Sequence, residues 1–535
     1  MTRPSLLRSM LSFSGGTFVS RILGLVREMA IASAFGASAA TDAFWVAFRI
    51  PNFMRRLFAE GSFSVAFVPV FTEVKETRPH ADLKELVART AGTLGGVLFV
   101  ITALGMLGAG WVAGGFAPGS IDQPQKYALT TDLLRVTFPF LFFVSLTALA
   151  GGVLNSFHKF ALPALTPVLL NLCMIAAALW FKQYFDVPIM ALGWAIFVAG
   201  ILQLLVQLPA LRRLDLLALP RWGWTHPDVR RILKLMVPTL FGSSVAQINL
   251  LLDTLIASFL ITGSQTWLAQ TDRLLEFPLG LFGVALGTVI LPSLSRHHVA
   301  TDHAGFARAL DWGLRTALLI SVPAMLALVL LAKPIISTLM QHGHFSAHDV
   351  DMAALSLSAL SFGLPAFALV KVVAPAFYAR QDTRTPVHAG VVAMIANMAM
   401  NVCFVGVLLV LWRQPGDLDQ GVLAALAKVP GLHMGLALAS ALASYLNLAQ
   451  LWLALKREGI YRAQPGWVAH LVRLGAACAA MVGVIGVGLW CWPDWSAWEW
   501  PTRVGRLALL IGSASAAFVA VLFAAGFRLR DLRGE

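Results

Sequence analysis

The chain has 535 residues, of which 58% are hydrophobic and only 13% charged, where a soluble globular domain carries about 25% charged residues. So few charges cannot cover the surface of a water-soluble protein of this size, and so apolar a chain is not disordered. The net charge of +13 has no soluble face, linker or low-complexity tract to sit on, which excludes a nucleic-acid binder, and the four scattered cysteines (Cys173, Cys403, Cys478, Cys491) exclude a disulfide framework or a Cys-rich metal site.

What remains is an all-α polytopic membrane protein. A bilayer crossing takes about 20 predominantly apolar residues, and the pattern predicts fourteen spans. They fall near 12–34, 42–72, 88–115, 127–154, 163–182, 188–211, 232–262, 266–294, 309–332, 348–378, 386–412, 432–455, 468–490 and 503–527. The first is not read as a cleavable signal, because Arg21, Arg27 and Glu28 break its apolar stretch and no cleavage site follows. The second is the weakest by hydropathy: it holds Asp42, Arg49, Arg55, Arg56 and Glu60 and bends at Pro51.

Alternate loops differ in basic residues. One set, including both termini, carries 24 of the 40 Lys and Arg, the opposite set carries 6, and ten lie within the spans. The positive-inside rule then predicts cytoplasmic termini. The chain also echoes itself at one constant offset, which takes Pro69 to Pro292 and Pro163 to Pro386, with Thr41-Asp42 and Thr271-Asp272 at a nearby offset. A unit of six spans returns to its starting side, so the copies are expected to be parallel, related by an axis along the membrane normal. The expected division is 1–215 and 225–458 for two six-helix lobes, with 459–535 holding two further helices and a tail.

The ten intramembrane basic residues are Arg21, Arg27, Arg49, Arg55, Arg56, Arg135, Arg273, Arg315, Lys371 and Arg506. Each is costly in lipid and by default faces water or a partner. Helical spacing puts Arg21, Gly24 and Glu28 on one face, and Asp42, Arg49 and Arg56 on another, with Arg55 beside it. Arg273 and Glu276 are i, i+3 neighbours, followed by Gly280, Gly283 and Gly287. The acids Glu28, Asp42, Glu60 and Glu276 are too few to neutralise these arginines, which predicts a cavity of positive sign and an anionic guest. Guanidinium is permanently charged and presents a fork matched to phosphate. The remaining arginines (Arg49, Arg56, Arg135, Arg315, Arg506) are read as helix caps or headgroup contacts.

With these residues in view the chain resembles the MurJ (MviN) lipid II flippase family of the wider MOP exporter superfamily. The resemblance is carried by SRILGLVREMAIASAFGASAATDAFWVAFRIPNFMRRLFAEGSFSVAFVPVF at 20–71, DRLLEFPLGLFGVALGTVILPSLS at 272–295, APAFYARQDTRTPV at 374–387 and QPGW at 464–467. It implies about fourteen helices in two parallel, MATE-like six-helix lobes, two terminal helices bordering a groove for a polyprenyl tail, and alternating access about a cationic cavity in the bacterial inner membrane. It implies substrate-binding arginines at Arg21, Arg27, Arg55 and Arg273, and gating or charge-partner acids at Glu28, Asp42, Glu60 and Glu276. The implied substrate is lipid II, an undecaprenyl-pyrophosphate-linked disaccharide peptide, with membrane lipids and other cell-wall synthesis proteins as further partners. Glu28 stands where relatives often carry Asp, and the 412–431 loop is longer than the family pattern. Asn249, Asp253, Asn397 and Asn401 offer oxygens, but no ion site is assigned.

An exporter of another polyprenyl-pyrophosphate-linked saccharide shares these handles, whereas a cation or drug exporter calls for an acidic cavity. For an enzyme, Asp417, Asp419, Asp494 and Glu499 are the outer carboxylates, and they read as solvated loop residues. Trp490, Trp492, Trp495, Trp498 and Trp500 read as an interfacial belt. His342 and His344 lack further metal ligands. With no HExxH, Walker A or nucleotide fingerprint, neither a catalytic activity nor a cofactor is expected.

Overall fold

The structure, a computed structural model, describes residues 6–56, 63–461 and 463–528, with the side chains of 6–18, 64–65, 238–246 and 281–289 outside that description. Every regular element among the described residues is helical. A lipid-embedded segment has no water to bond its backbone, and a helix satisfies each N–H and C=O within itself.

The chain divides into two compact units, residues 1–266 and 267–535. The first holds α1 (Leu6–Phe35), α2 (Ala39–Arg55), α3 (Ser64–Thr77), α4 (His80–Leu107), α5 (Ala109–Phe116), α6 (Pro124–Thr137), α7 (Pro139–Ser156), α8 (Ala161–Ala176), α9 (Met190–Arg213) and α10 (Pro227–Ala257). Helix α11 (Ser264–Val299) starts at the seam. After it come α12 (His303–Leu330), α13 (Ala332–Met340), α14 (Ala347–Ser361), α15 (Leu364–Tyr378), α16 (Arg384–Trp412), α17 (Val422–Leu426), α18 (His433–Arg457), α19 (Trp467–Cys491) and α20 (Trp500–Ala524). Helix α10 packs on α3, α4 and α5, inside the first unit, although the sequence reading starts the second lobe at 225.

Ten helices among the described residues are long and apolar enough to cross a membrane, and the chain is a multi-pass membrane protein. The other four spans expected from the sequence fall on α1, on α2 with α3, on α10 and on α11, the helices that carry most of the intramembrane charge.

The duplication is visible helix by helix. The starts of α4, α5, α6 and α8 (80, 109, 124, 161) recur, at the offset of the proline pairs, as the starts of α12, α13, α14 and α16 (303, 332, 347, 384). Pro163 and Pro386 each occupy the third position of their helix. The helix ends agree as well. His158 and Gln381, separated by that same offset, are non-glycine residues at positive φ (59° and 62°), a rare backbone state. Around them Lys159 N donates to Leu154 O at 2.9 Å and Asp382 N to Phe377 O at 3.0 Å, the same C-terminal closure in both copies. Beyond α9 and α18 the corresponding left-handed residues are Asp215 and Gly459, which stand farther apart than the repeat offset. The second copy is therefore the longer one, and its insertion lies in the long connection between α16 and α18 that contains α17.

Each unit has its own apolar core. In the first, Phe63, Phe67 and Phe71 stack along α3 and its leading edge with ring centroids 5.1 and 5.2 Å apart, against Leu86, Leu149, Val153 and Ile232. In the second, Ile290 and Leu294 meet Leu310, Val372, Phe377 and Leu451. The segment after α9 is tied along α4: Arg221 N donates to Ala88 O at 2.9 Å and Gly223 N to Thr93 Oγ1 at 2.9 Å. Gly92 makes this approach possible, since a Cβ there would lie 2.2 Å from the Arg221 carbonyl oxygen. Gly92→Val is expected to destabilise the protein by about 1–3 kcal/mol through overpacking, read as a lowered Tm in detergent. Gly483→Ala, where nothing lies within 4 Å of the new methyl, is the control and should leave Tm unchanged or slightly raised.

Candidate functional site

Two charges of helix α1 are buried. Arg27 and Glu28 are 3% and 1% exposed. The Arg27 guanidinium pairs with the Glu28 carboxylate and donates from Nη1 to Asn171 Oδ1 on α8 at 3.1 Å. Asn171 Nδ2 in turn donates to Ser20 O at 3.0 Å. The amide thus ties α8 to the α1 backbone and to its arginine together. Arg21, a turn and a half earlier, is half-buried, and a Cβ at Gly24 between them would meet nothing within 4 Å. That leaves open space beside the guanidinium-bearing face.

Helix α2 starts at an N-cap, Ser38, whose hydroxyl accepts from Thr41 N at 3.3 Å. This fixes Asp42 in the first turn, where a carboxylate is favoured by the helix dipole. Asp42 is 1% exposed and accepts four hydrogen bonds. They come from Gly263 N at 2.8 Å, Thr266 N at 3.0 Å, Thr266 Oγ1 at 2.8 Å and Lys126 Nζ on α6 at 3.3 Å. Gly263, at φ +99°, turns the backbone so that these donors converge. One carboxylate therefore holds α2, α6 and the α10–α11 connection at one end of the first unit. Further along α2, Arg49 is buried and donates from Nη1 to Thr254 Oγ1 on α10 at 2.6 Å. The sequence reading made it a cap or headgroup contact; it is a clamp between two helices.

Arg55 and Arg56 close α2 half-buried, Arg55 forking onto Asn52 Oδ1 at 3.0 and 2.8 Å. In the second unit, Arg273 pairs with Glu276 on the same face of α11 at 2.7 Å, both partly exposed. Lys371 on α15 reaches the Leu279 carbonyl of α11 at 3.5 Å. Glu60 lies outside the described residues. The expected site residues thus form two groups within the first unit, Arg27–Glu28 and Asp42 with its donors, and one in the second, Arg273–Glu276. No group of three or more metal-ligating side chains occurs among the described residues.

Sequence reasoning passed over Lys126, Asn171, Thr266 and Asp311. Lys126 lies at a helix start, and only the distant Asp42 reveals its role. Asn171 and Thr266 are ordinary in composition. Asp311 sits one turn before Arg315 in an apolar helix, a spacing that could have flagged an ion pair.

In chemical terms these groups can hold an anion. The guanidinium groups are permanently charged, and partly exposed ones such as Arg55 and Arg273 can be approached by a guest while their helices hold them in place. The family model for the lipid II flippase MurJ matches residues 31–501. The chain belongs to the lipid II flippase MurJ family. A probable lipid II flippase MurJ of Vibrio cholerae is 42% identical over 541 residues, covering 99% of this chain and 98% of its own. The lipid II flippase MurJ of Burkholderia cenocepacia is 41% identical, covering 99% of both. Among solved structures, a lipid II flippase MurJ in an inward closed conformation superposes with a TM-score of 0.75 at 25% identity, over 96% of this chain and 99% of that one. An inward-facing multidrug MATE transporter of the MOP superfamily gives 0.60 at 13% identity over 82% of this chain and 95% of that one, which shows a shared fold.

Within this MurJ-family chain the Asp42–Lys126 pair is the most buried charge pair between helices of the first unit among those described, with side chains 1% and 5% exposed. Asp42→Ala leaves a buried ammonium uncompensated and should cost about 3–5 kcal/mol, measured by thermal unfolding in detergent. The double variant Asp42→Ala with Lys126→Met should recover much of that loss. If the double variant unfolds as early as the single, the pair is not what holds this end.

Proposed function

We propose that the chain flips lipid II from the cytoplasmic to the outer leaflet of the bacterial inner membrane by alternating access. The reading is supported above all by full-length membership of the MurJ family at 41–42% identity, with arginines on α1, α2 and α11 where the family's cationic site is expected. In this reading the diphosphate is held by Arg21, Arg27, Arg55 and Arg273 in a wet chamber. Spontaneous crossing is slow because phosphate and sugar cannot shed water in hydrocarbon. Fixed guanidinium donors replace part of that hydration. The pairing of Arg27 with Glu28 and of Arg273 with Glu276 keeps each cation compensated before substrate arrives, and the diphosphate then competes with the carboxylates.

With cytoplasmic termini, the Asp42 cluster lies at the outer end of α1 and α2, where it closes the first unit toward the outside. Opening outward then requires Asp42 to release the α10–α11 connection. The polyprenyl tail stays in lipid along α19 and α20, whose outer faces expose Val472, Val487, Leu509 and Val519. The repeats are taken as the two lobes that rock, and the cell-wall synthesis machinery as the source and sink of the substrate.

Replacing Arg21, Arg27, Arg55 or Arg273 singly by Ala should lower flipping by about tenfold or more, the size of one lost charge-assisted hydrogen bond, with insertion unchanged. Normal flipping in all four variants overturns the site. The membrane potential adds a second check. Moving two negative charges out of a negative interior gains about 4–5 kcal/mol per 100 mV, so flipping in vesicles should accelerate under an imposed inside-negative potential.

A further inference from the structure

Between α9 and α10 the chain forms a strap, residues 214–226, laid along α4 within the first unit. The bonds from Arg221 N and Gly223 N to α4 hold its middle, and Arg89 Nη1 adds a bond to Trp222 O at 3.4 Å. Its two ends are clipped by ion pairs. Lys84 meets Asp215 at 2.6 Å, and Arg78 meets Asp228, in the first turn of α10, at 2.8 Å. Because backbone atoms carry the tether in the middle, the side chains of Arg221, Trp222 and Trp224 are not needed for it, and all three are exposed.

Trp222 and Trp224 stack in parallel, with 10° between their planes and 6.1 Å between ring centroids, and are 60% and 48% exposed. Trp222 lies on Gly96 of α4, where a Cβ would stand 2.7 Å from the ring. One turn further along this membrane-spanning helix Phe99 and Val100 are exposed. The indole pair therefore stands where apolar helix gives way to charge, at headgroup depth. The charge there is unbalanced. Glu73, Glu85, Asp215 and Asp228 each already hold a cation: Arg231, Arg89, Lys84 and Arg78 respectively. Glu85 is close enough to feel Arg221, but its carboxylate is bonded to Arg89 Nε at 2.6 Å. Arg212, Arg213, Arg221, Arg230 and Lys234 are exposed and form no ion pair among the described residues.

A guanidinium with no acid on it is matched to phosphate. An indole face, negative at its centre, is matched to the C–H face of a pyranose ring, whose hydrogens carry partial positive charge. A plain phospholipid uses the first of these and has no flat ring for the second. A polyprenyl-diphosphate saccharide uses both, since its diphosphate and first sugar are neighbours in one headgroup, as Arg221 and the two indoles are neighbours in one strap. We propose that Arg221, Trp222 and Trp224 form a loading platform, a second substrate site that takes the diphosphate and sugar of the lipid-linked saccharide at the membrane surface before it enters the protein. This rests on the flippase reading above, whose orientation puts the strap at the leaflet the substrate leaves. A site that only gathers substrate lowers KM and leaves the crossing step itself unchanged.

The test measures flipping by full-length protein in vesicles over a range of lipid II concentrations. The variants are Arg221→Gln and Trp224→Leu, which spare the backbone tethers and lie at exposed positions, where substitutions leave the fold intact. Each should raise KM by about tenfold, the size of one lost charge-assisted bond or aromatic contact, with kcat close to that of wild type. A second arm counts bound lipid II per chain in nanodiscs, where wild type should hold two copies and either variant one. In a third arm phosphatidylglycerol is added as competitor and should leave the wild-type KM unchanged. Unaltered KM in both variants, a wild-type count of one, or displacement by phosphatidylglycerol overturns the platform, the last making the strap a general anchor for anionic lipid. A wild type that moves no lipid II overturns the flippase reading and the platform with it, whereas a wild type that flips normally beside two normal variants overturns the platform alone.

Discussion

A charge inside a membrane must be compensated where it stands, and that cost organises this protein. Insertion of one Arg or Lys at mid-bilayer costs about 2.5–3.5 kcal/mol. Every deeply buried charge described here meets a partner from another helix or a neighbouring acid: Arg27 with Glu28 and Asn171, Arg49 with Thr254, Asp42 with Lys126 and two backbone amides, Asp311 with Arg315, Tyr461 and Trp467. Because most of these partners lie on different helices, satisfying the charge fixes the helix. The same bonds that make the residues tolerable in lipid locate α2 against α6 and α10, and α12 against the root of α19. Arg21, Arg55 and Arg273 are more exposed than Arg27.

The duplication supplied two copies of one helical plan, and the copies have since been given different polar chemistry. The position of Lys126 on α6 recurs, at the repeat offset, as Asp349 on α14. In the first copy the lysine reaches Asp42; in the second the carboxylate accepts from Trp267 Nε1 at 3.1 Å and helps cap its own helix with Ser346. The closures around His158 and Gln381 kept their backbone geometry although their side chains diverged. Backbone closures survive because they depend on dihedral angles. Side-chain bonds survive only while both partners do.

Much of this was legible in the sequence. Long apolar runs predict helices, and two proline pairs at one offset predict a repeat that the helix starts reproduce. The 412–431 loop, marked as overlong, is where the second copy outgrows the first. The site was legible as a list of arginines and acids, but not as an arrangement. Arg49 looked like an interfacial residue and is a buried clamp. Lys126, at a helix start, is the counter-charge of Asp42, 84 positions away.

By itself, then, the amino-acid order determined the class, the number and polarity of charges in apolar helices, and the internal repeat, because hydropathy, charge and spacing act within one helix or at one fixed offset. Which helix each charge binds, that α10 packs with the first unit, and that QPGW is gripped by Asp311 were decided only by the tertiary structure. Those contacts join residues up to 224 positions apart, and no periodicity along the chain encodes which distant polar atom will be the one to relieve a buried charge.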